Sequence, residues 1–262
     1  MNIVIFDTET TNLEKPFCYN IGYKIVDTET DTTLIEKDFV VEQVWHNPML
    51  FTTAYYSNKR EIYVSRMKAR KTVMDKFGYI CQQMIRDFKA YEIEIAFAYN
   101  SPFDTKVFDY NCEWFKCNNP FDNIQIYDIR GYVHKYIAFT KEYQDFCETH
   151  EYFTESGNYS TTAETLFRYI KQDTDFEEEH TALADSRIEW EILKFCIDLG
   201  ANITKPCKTY SSIPREKTKT LTVIQKNNDK ESCVEFTYTK RRNYKDKSGQ
   251  VDKIILKTYE KR

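Results

Sequence analysis

The sequence predicts an α/β fold with a mixed sheet, in which antiparallel strands form one edge and parallel strands lie beyond. Three β-rich runs, at residues 3–6, 20–27 and 33–41, follow one another with short connections. Two further runs, at 93–99 and 123–128, follow predicted helices at about 70–90 and at 103–115. Short turns favour antiparallel neighbours, whereas intervening helices favour parallel ones. We therefore expect a sheet of five strands flanked by helices.

The first strand carries a pair of acidic residues. Ile3 to Phe6 is an apolar, β-branched run suited to a buried strand, and Asp7 follows directly. Because side chains alternate along a strand, Asp7 and Glu9 point to the same side. Two such carboxylates repel each other unless a proton or cation lies between them, and hard divalent cations prefer oxygen ligands. An isolated Asp-x-Glu is also common at a solvated strand end, so this pair needs support from elsewhere in the chain.

The same four letters, Asp-Thr-Glu-Thr, recur at residues 27–30. Asp-Thr-Thr follows at 31–33 and a second β-rich run resumes at once, which predicts a hairpin turn. No other carboxylate or histidine pattern points at this copy. We therefore expect no catalytic role for Asp27 or Glu29.

A second acidic position follows the fourth strand. Asn100-Ser-Pro ends that strand, and Pro102 suits the first turn of a helix that we predict from 103 to about Phe115. Asp104 falls in this first turn, where the helix dipole already favours a carboxylate. Capping alone would explain Asp104, so this position also depends on the others.

The third position combines a histidine and a carboxylate. A helix is predicted from Thr181 to about Leu199, after another amphipathic helix at 160–171. His180 stands at its start and Asp185 one turn further on. A neutral imidazole can accept a proton from water near neutral pH, and a carboxylate one turn away could hold a metal that polarises this water. The acidic run at 177–179 is expected to be solvated surface.

Together these motifs resemble the DEDDh branch of the DEDD 3′–5′ exonuclease superfamily, which includes the proofreading subunits of bacterial replicative polymerases. The three motifs of that group are Asp-x-Glu, Asn-x-x-Phe-Asp and His-x-Ala-x-x-Asp. They stand here as Asp7-Thr-Glu9, Asn100-Ser-Pro-Phe-Asp104 and His180-Thr-Ala-Leu-Ala-Asp185. The tyrosine branch would need Tyr at position 181, where this chain has Thr181. The resemblance covers about residues 1–200, and the poorly matching stretch 43–91 is interpreted as an insertion.

The resemblance implies a ribonuclease H-like fold and a two-metal reaction centre. Two Mg²⁺ or Mn²⁺ ions would be held by four carboxylates, those of Asp7, Glu9, Asp104 and Asp185, with Asp7 shared between them. His180 would be the general base that deprotonates the attacking water.

The resemblance also implies contacts with the substrate. Thr10 and Leu13 match positions that contact the terminal nucleotide in the group, and Asn100 lies in the second motif. The group often has Gly where this chain has Asn12. Asn tolerates a positive φ better than most residues, so we expect the turn to survive this replacement.

The charge distribution predicts a second region. Residues 205–262 contain sixteen Lys and Arg against seven Asp and Glu, a net charge of +9, whereas the whole chain carries −4 and residues 1–204 therefore −13. Three β-like runs in this tail predict a small antiparallel meander. We therefore expect an exonuclease domain at 1–204 and a basic, β-rich C-terminal appendage at 205–262.

The basic appendage suggests a grip on the phosphate backbone. Lys240, Arg241 and Arg242 stand beside Tyr238 and Tyr244, and single-strand binders combine cations with stacking faces in this way. Two alternatives stay open. Lys and Arg also protect sheet edges from aggregation, and the appendage could dock to an acidic protein.

The insertion at 43–91 is rich in aromatic residues, namely Trp45, Phe51, Tyr55, Tyr56 and Tyr63. These side chains could form a flap that stacks on unpaired bases beside the active site. Aromatic residues more often belong to the core.

Eight dispersed cysteines indicate free thiols in a reducing compartment. Cys112 and Cys117 are the closest pair, and without a second pair we expect no zinc site there. No apolar run approaches the ~20 residues that cross a membrane, and the first residues already form a strand, which leaves no room for a signal peptide. We expect a cytoplasmic protein, in the host cytoplasm if the source is viral, without membrane association.

These inferences predict a divalent-metal-dependent exonuclease acting on the 3′ ends of single-stranded nucleic acid, with DNA preferred and a polymerase or other replication protein as a candidate partner. Two alternatives stay open: an exoribonuclease that trims RNA or degrades oligonucleotides, and a non-catalytic nucleic-acid-binding protein on the same fold. The presence of all four carboxylates and His180 argues against the second, because a cluster of like charges destabilises a fold that no longer binds metal.

Overall fold

The structure, a computed structural model, describes residues 1–54, 57–215, 217–227, 230–242 and 249–260, and it describes side chains for 1–54 and 58–215. The chain forms two compact units. One comprises residues 1–146 and 161–210, and the other comprises 147–160 and 211–262.

The first unit is built on a mixed six-stranded sheet with the order β4-β3-β2-β1-β5-β6. Its strands are β1 (Asn2–Thr10), β2 (Cys18–Asp27), β3 (Thr32–Val41), β4 (Val73–Asp75), β5 (Ile95–Ala98) and β6 (Gln125–Asp128). The pairs β1/β2 and β2/β3 are antiparallel, and β1/β5, β5/β6 and β3/β4 are parallel. The predicted mixed α/β sheet is confirmed, with one strand more than expected.

The extra strand corrects the prediction for the insertion. The helix expected at about 70–90 begins only at Phe77, because residues 73–75 extend and pair in parallel with Phe39–Val41 at the sheet edge.

The helices expected at 103–115, 160–171 and 181–199 are present with small shifts of their ends. The helices are α1 (Glu42–Trp45), α2 (Pro48–Phe51), α3 (Arg60–Lys68), α4 (Phe77–Ala90), α5 (Ser101–Phe115), α6 (Ile129–Val133), α7 (Lys141–Thr149), α8 (Ala163–Lys171) and α9 (Ala182–Asp198), with a 3-10 turn at Ser57–Lys59 and a π-helical turn at His134–Ala138.

Among the described residues, no helix combines the length and the apolar character needed to cross a bilayer.

The aromatic residues of the insertion belong to the core. Trp45, Phe51 and Tyr63 are buried, and Phe51 and Tyr63 pack edge-on against Tyr19 of β2. For these three residues the core interpretation is therefore confirmed and the flap interpretation is wrong. The same question for Tyr55 and Tyr56 lies outside the described residues.

The second unit contains the predicted antiparallel meander, with the strand order β7-β8-β9. Its strands are β7 (Lys217–Asn227), β8 (Lys230–Arg242) and β9 (Gly249–Glu260). Lys240, Arg241 and Arg242 close β8, and their side chains lie outside the described part of the chain. Their predicted contact with nucleic acid stays a prediction.

Candidate active site

The acidic pair of β1 lies where this central strand reaches the edge of the core. Residues 3–6 are fully buried, and Asp7 and Glu9 follow them on the strand. Asp7 pairs with Gly22 of β2, and Glu9 pairs with Asn20. The register shifts between Glu9 and Thr10, so regular pairing of β1 ends just beyond the acidic pair.

Helix α9 lies directly over the residue that pairs with Asp7. A Cβ atom added to Gly22 would stand 2.1 Å from the backbone nitrogen of Leu183, so only glycine permits this approach. Ser186 Oγ donates a hydrogen bond of 3.1 Å to the Gly22 carbonyl. Asp185 lies between Leu183 and Ser186 in the first turn of α9. The packing of these two residues on Gly22 therefore holds the Asp185 carboxylate beside Asp7.

The start of α9 is fixed by a strand residue. Thr181 precedes the helix without capping it through its side chain. Asn20 Oδ1 instead accepts a hydrogen bond of 2.8 Å from the Ala182 amide, and the Asn20 amide group donates to Asp38 Oδ1 and the Phe39 carbonyl. A buried helix terminus needs such a partner for its free amides. Asn20 thereby ties the α9 start to the strand that pairs with β1.

Asp7, Glu9 and Asp185 form a compact carboxylate cluster. Each offers one oxygen, and these oxygens lie within 4.8 Å of one another. Asp185 Oδ1 is buried without a hydrogen-bond partner among the described residues. Burial raises the pKa of Asp7 to about 7, and burial together with the Asp7 charge raises the pKa of Asp185 to about 10 and that of Glu9 well above its usual range.

This cluster fits a divalent cation. An unpartnered buried carboxylate oxygen beside two further carboxylates is destabilising unless a proton or cation neutralises the charge. An all-oxygen donor set suits Mg²⁺ or Mn²⁺ rather than a softer metal.

Asp104 approaches from the other face of the sheet. It lies in the first turn of α5 and is 2% exposed. Thr8 Oγ1 donates a hydrogen bond of 2.7 Å to Asp104 Oδ1. Because side chains alternate along a strand, Asp7 and Glu9 point to the opposite face of the sheet from Thr8. Burial and the Asp7 charge raise the pKa of Asp104 well above its usual range. The structure therefore brings Asp104 next to the cluster but not into the 4.8 Å group.

His180 lies just before α9 in a left-handed backbone conformation, with φ of 52°. Its Nδ1 is 3.6 Å from Glu178 Oε2, and its side chain lines a cavity of about 520 Å³ together with Lys59, Glu164 and Arg168. Burial, and after it the Lys59 charge, lowers the pKa of His180. The imidazole is therefore neutral near pH 7 and can accept a proton.

Glu178 corrects the prediction for the acidic run at 177–179. Its neighbours Glu177 and Glu179 are exposed as expected, but the Glu178 side chain is only 13% exposed and faces His180. Burial, with the charges of Glu164 and Asp7, raises the pKa of Glu178 to about 7. Nothing in three consecutive glutamates indicates that the middle one turns inward.

The insertion holds the loop that carries His180. Arg66 of α3 forms an ion pair with Glu179 and donates a hydrogen bond of 2.9 Å to Thr181 Oγ1. Lys59 donates to the Glu179 carbonyl. Sequence reasoning missed both basic residues, because the segment that contains them matches no motif.

Sequence reasoning also missed a fifth carboxylate. Glu189 is buried one turn after Asp185 on α9, and its Oε2 has no hydrogen-bond partner among the described residues. Burial and the charges of Asp7, Asp104 and Asp185 raise its pKa well above the usual range. The i, i+4 spacing from Asp185 was a visible signal for this neighbour.

The residues predicted to contact the substrate divide into two groups. Thr10 and Leu13 line a mostly apolar cavity of about 480 Å³ with Glu9 and Phe103, and Leu13 is 72% exposed. Asn100 does not line this cavity. It lies exposed at the start of α5 with φ of 64°, and Arg130 donates a hydrogen bond of 3.0 Å to its Oδ1.

The turn at Asn12 is present, but it does not use a positive φ. Asn12 lies outside the left-handed region. Its Oδ1 instead accepts a hydrogen bond of 2.7 Å from the Lys15 amide, which closes the turn after β1 through the side chain.

Comparison with known proteins supports the fold. No protein-family model and no curated protein sequence matches the chain. Among solved structures, a complex of ExoI with SSB-Ct aligns at 13% identity and a TM-score of 0.51, covering 76% of this chain and 41% of that one. E. coli exonuclease I with a dA16 oligonucleotide aligns at 14% identity and 0.48, covering 74% and 41%. The nuclease domain of 3′hExo, a DEDDh family member bound to rAMP, aligns at 12% and 0.48, covering 81% and 97%.

The alignment with a TM-score of 0.51 shows that this chain shares its fold with part of ExoI, over 76% of this chain and 41% of that one. The predicted mixed α/β fold is thereby confirmed. This chain spans about 41% of the length of the exonuclease I chains.

Proposed function

We propose that the protein is a divalent-metal-dependent 3′–5′ exonuclease that hydrolyses single-stranded nucleic acid, with DNA preferred. One observation carries the proposal. Asp7, Glu9 and Asp185 place carboxylate oxygens within 4.8 Å of one another, and Asp185 Oδ1 is buried with no hydrogen-bond partner in the described part of the chain. An uncompensated acidic cluster at this position is costly for the fold alone and useful for a nuclease that binds cations.

The carboxylates divide the work of holding the cations. Asp7, Glu9 and Asp185 would hold one Mg²⁺ or Mn²⁺ ion, and Asp104, on whose pKa the Asp7 charge acts, would contribute with Asp7 to holding a second. When bound, the two cations would polarise the attacking water and stabilise the departing 3′ oxygen. Thr8 keeps Asp104 in place through its hydrogen bond.

His180 would accept the proton of the attacking water. Its lowered pKa keeps the ring neutral at neutral pH, which is the state a general base requires. Glu178 Oε2 lies 3.6 Å from His180 Nδ1, so a Glu178 carboxylate would stabilise the positive charge that the ring gains with the proton. Arg66 and Lys59 hold the loop on which both residues stand.

The cavity beside Glu9 would hold the terminal nucleotide. Leu13 and Phe103 give it apolar walls, and Thr10 lines it at the strand end. Its mostly apolar lining suits a base and a sugar, while the carboxylate cluster lies where the phosphodiester bond would be.

The preference for DNA rests on the resemblance of the three motifs to the proofreading group. The net charge of +9 in residues 205–262 would add contacts to the phosphate backbone. A polymerase or another replication protein in the cytoplasm would be the partner of such an enzyme.

The test is a time course with 5′-labelled single-stranded DNA and RNA of one sequence, in Mg²⁺, Mn²⁺ or EDTA. The proposal predicts a ladder that shortens from the 3′ end with either cation and is absent in EDTA, with the DNA ladder faster. A faster RNA ladder would replace the DNA preference by an exoribonuclease activity. Intact strands in every condition, with binding retained, would overturn catalysis and favour a nucleic-acid-binding protein.

A further inference from the structure

Three cysteines that are distant in the sequence converge between α4 and α5. Cys81 lies on α4, Cys112 on the last turns of α5, and Cys117 just after that helix. Their sulfur atoms lie within 4.8 Å of one another. The sequence showed only the pair 112 and 117, and the third cysteine arrives through the packing of the insertion against α5. No other cysteine group of this kind occurs among the described residues.

The backbone is shaped to hold this cluster. After α5 ends, Lys116 adopts a left-handed conformation, and the Cys117 amide donates a hydrogen bond of 3.1 Å to the Cys112 carbonyl. This turn brings Cys117 back beside Cys112. Gly78, one turn before Cys81 on α4, packs beside Cys117, since a Cβ atom there would stand at an ordinary contact distance of 3.5 Å from Cys117 Cβ.

The cluster combines burial with access. Cys81 and Cys112 are buried, and Cys117 is half-buried. The three sulfur atoms are therefore accessible from the side of Cys117.

Ligand chemistry selects the ion. Sulfur atoms bound tetrahedrally to Zn²⁺ at ~2.3 Å lie about 3.8 Å apart, so the observed spacing needs only small side-chain adjustments. Thiolates select Zn²⁺ over Mg²⁺, whereas the carboxylate cluster at Asp7 has the opposite preference.

We propose that Cys81, Cys112 and Cys117 bind one Zn²⁺ ion, with water in the fourth position. Binding converts three thiols to thiolates and releases three protons to solvent. The ion would fix the end of α5, whose first turn carries Asp104, to α4. The site uses none of the residues of the carboxylate cluster, so the proposal stands whether or not the proposed exonuclease activity does.

The test is metal binding by the full-length reduced protein. Zinc bound after dialysis would be measured by mass spectrometry, and Co²⁺ titration would report thiolate ligands through the sulfur-to-cobalt charge-transfer band. We expect one Zn²⁺ per chain, a strong charge-transfer band, and at least about tenfold weaker binding in Cys117→Ser. Cys207→Ser, which changes another half-buried thiol outside the cluster, is the matched control and should bind like the wild type.

Two outcomes would overturn the proposal. Co²⁺ binding without a charge-transfer band would place the ion at carboxylates, and equal Zn²⁺ affinity in Cys117→Ser and the wild type would leave the cluster as packed thiols. Because Cys117 is half-buried, its replacement by Ser should preserve the fold, which far-ultraviolet circular dichroism would verify. If that variant unfolds, Zn²⁺ protection of the three thiols from alkylation in the wild-type protein decides instead, and unprotected thiols would sink the idea.

Discussion

Asp-Thr-Glu-Thr occurs twice, at residues 7–10 of β1 and at residues 27–30, where β2 ends and the turn to β3 begins. The pKa of the aspartate shifts in opposite directions in the two copies. Burial raises the pKa of Asp7 to about 7. Asp27 is the last residue of β2 and is half-buried, and hydrogen bonds from the Glu29 amide and the Thr30 hydroxyl lower its pKa. The same four residues therefore form part of a buried carboxylate cluster in one place and a hydrogen-bonded turn in the other.

The difference comes from what the rest of the chain brings to each copy. Gly22 allows α9 to approach the first copy and place Asp185 beside it, and α5 brings Asp104 from the opposite face. The second copy meets only local partners and the N-terminal amine. The proposed metal site thus depends on long-range packing, and the tetrapeptide supplies only two of its proposed ligands.

The largest expected effect is the contrast between the two aspartates. Asp7→Asn removes the carboxylate shared by both proposed cations, so metal-dependent cleavage should fall below detection while the fold is kept. Asp27→Asn, the same chemical change in the other copy, should leave the rate within about twofold of the wild type. The measurement is the initial rate on 5′-labelled single-stranded DNA. Wild-type activity in Asp7→Asn would show that the wrong site has been assigned.

The next effect concerns proton transfer. His180→Gln should lower the cleavage rate by about 10²–10⁴-fold without weakening Mn²⁺ binding to the same degree. In the wild type the rate should rise with pH through a pKa below the usual ~6.5 of histidine and then level off, and the variant should lose this limb. His46→Gln, an exposed histidine outside the site, is the control. An unchanged pH profile in His180→Gln would exclude His180 as the base.

The third effect tests how α9 is positioned. Gly22→Ala would place a methyl group 2.1 Å from the Leu183 backbone, so α9 must shift, at a cost of about 3 kcal/mol in unfolding free energy and with a loss of activity. Gly78→Ala is the matched control, because its Cβ meets only an ordinary contact of 3.5 Å and should stabilise α4 by up to ~1 kcal/mol. Urea unfolding measures both. Equal stabilities of the two variants would contradict the close approach of α9.

A smaller effect separates Glu178 from its neighbours. Glu178→Gln should reduce the rate about tenfold, the size expected for a residue that orients another, and should shift the pH profile, since the Glu178 carboxylate faces His180. Glu177→Gln removes an exposed carboxylate from the same run and should have little effect. Similar rates and profiles for the two variants would mean that Glu178 is only a buried neighbour.

The smallest effect is a pH dependence of metal stabilisation. The folded pKa values of Asp7, about 7, and Asp185, about 10, lie above the ~3.9 of an unfolded aspartate. Without metal, the two carboxyl groups stabilise the fold fully below about pH 4, where both are protonated. This stabilisation is lost as the pH rises through their folded pKa values. Cations bind the ionised form, so the rise in Tm caused by Mg²⁺ should grow between about pH 5 and about pH 9. Scanning fluorimetry measures it, and a rise independent of pH would contradict the assignment.

The sequence predicted the parts of the fold that depend on local pattern. Alternation and apolar runs located β1, β2, β3, β5 and β6, and the caps located the start of α5. The sheet-edge strand at 73–75 was not predicted, because three residues are too few to show a periodic pattern. Their extended conformation depends on pairing with β3. A long-range partner overrides a weak local preference in such a segment.

The same distinction holds for the candidate site. The three motifs led to Asp7, Glu9, Asp104, His180 and Asp185 because each stands at a recognisable strand end or helix start. Asn20, Glu178 and Lys59 could not be found this way. Their contributions arise from contacts across the fold, such as the capping of α9 by a residue 162 positions away.

The most direct measurement is Mn²⁺ binding, followed through the electron paramagnetic resonance signal of the free ion, for the wild type, Asp185→Asn and Asp27→Asn. The account predicts that the wild type binds two ions, that Asp185→Asn binds at least about tenfold more weakly, and that Asp27→Asn binds like the wild type. Unchanged binding in Asp185→Asn, or weakened binding in Asp27→Asn, would contradict the claim that the first Asp-Thr-Glu-Thr copy and α9 form the metal centre.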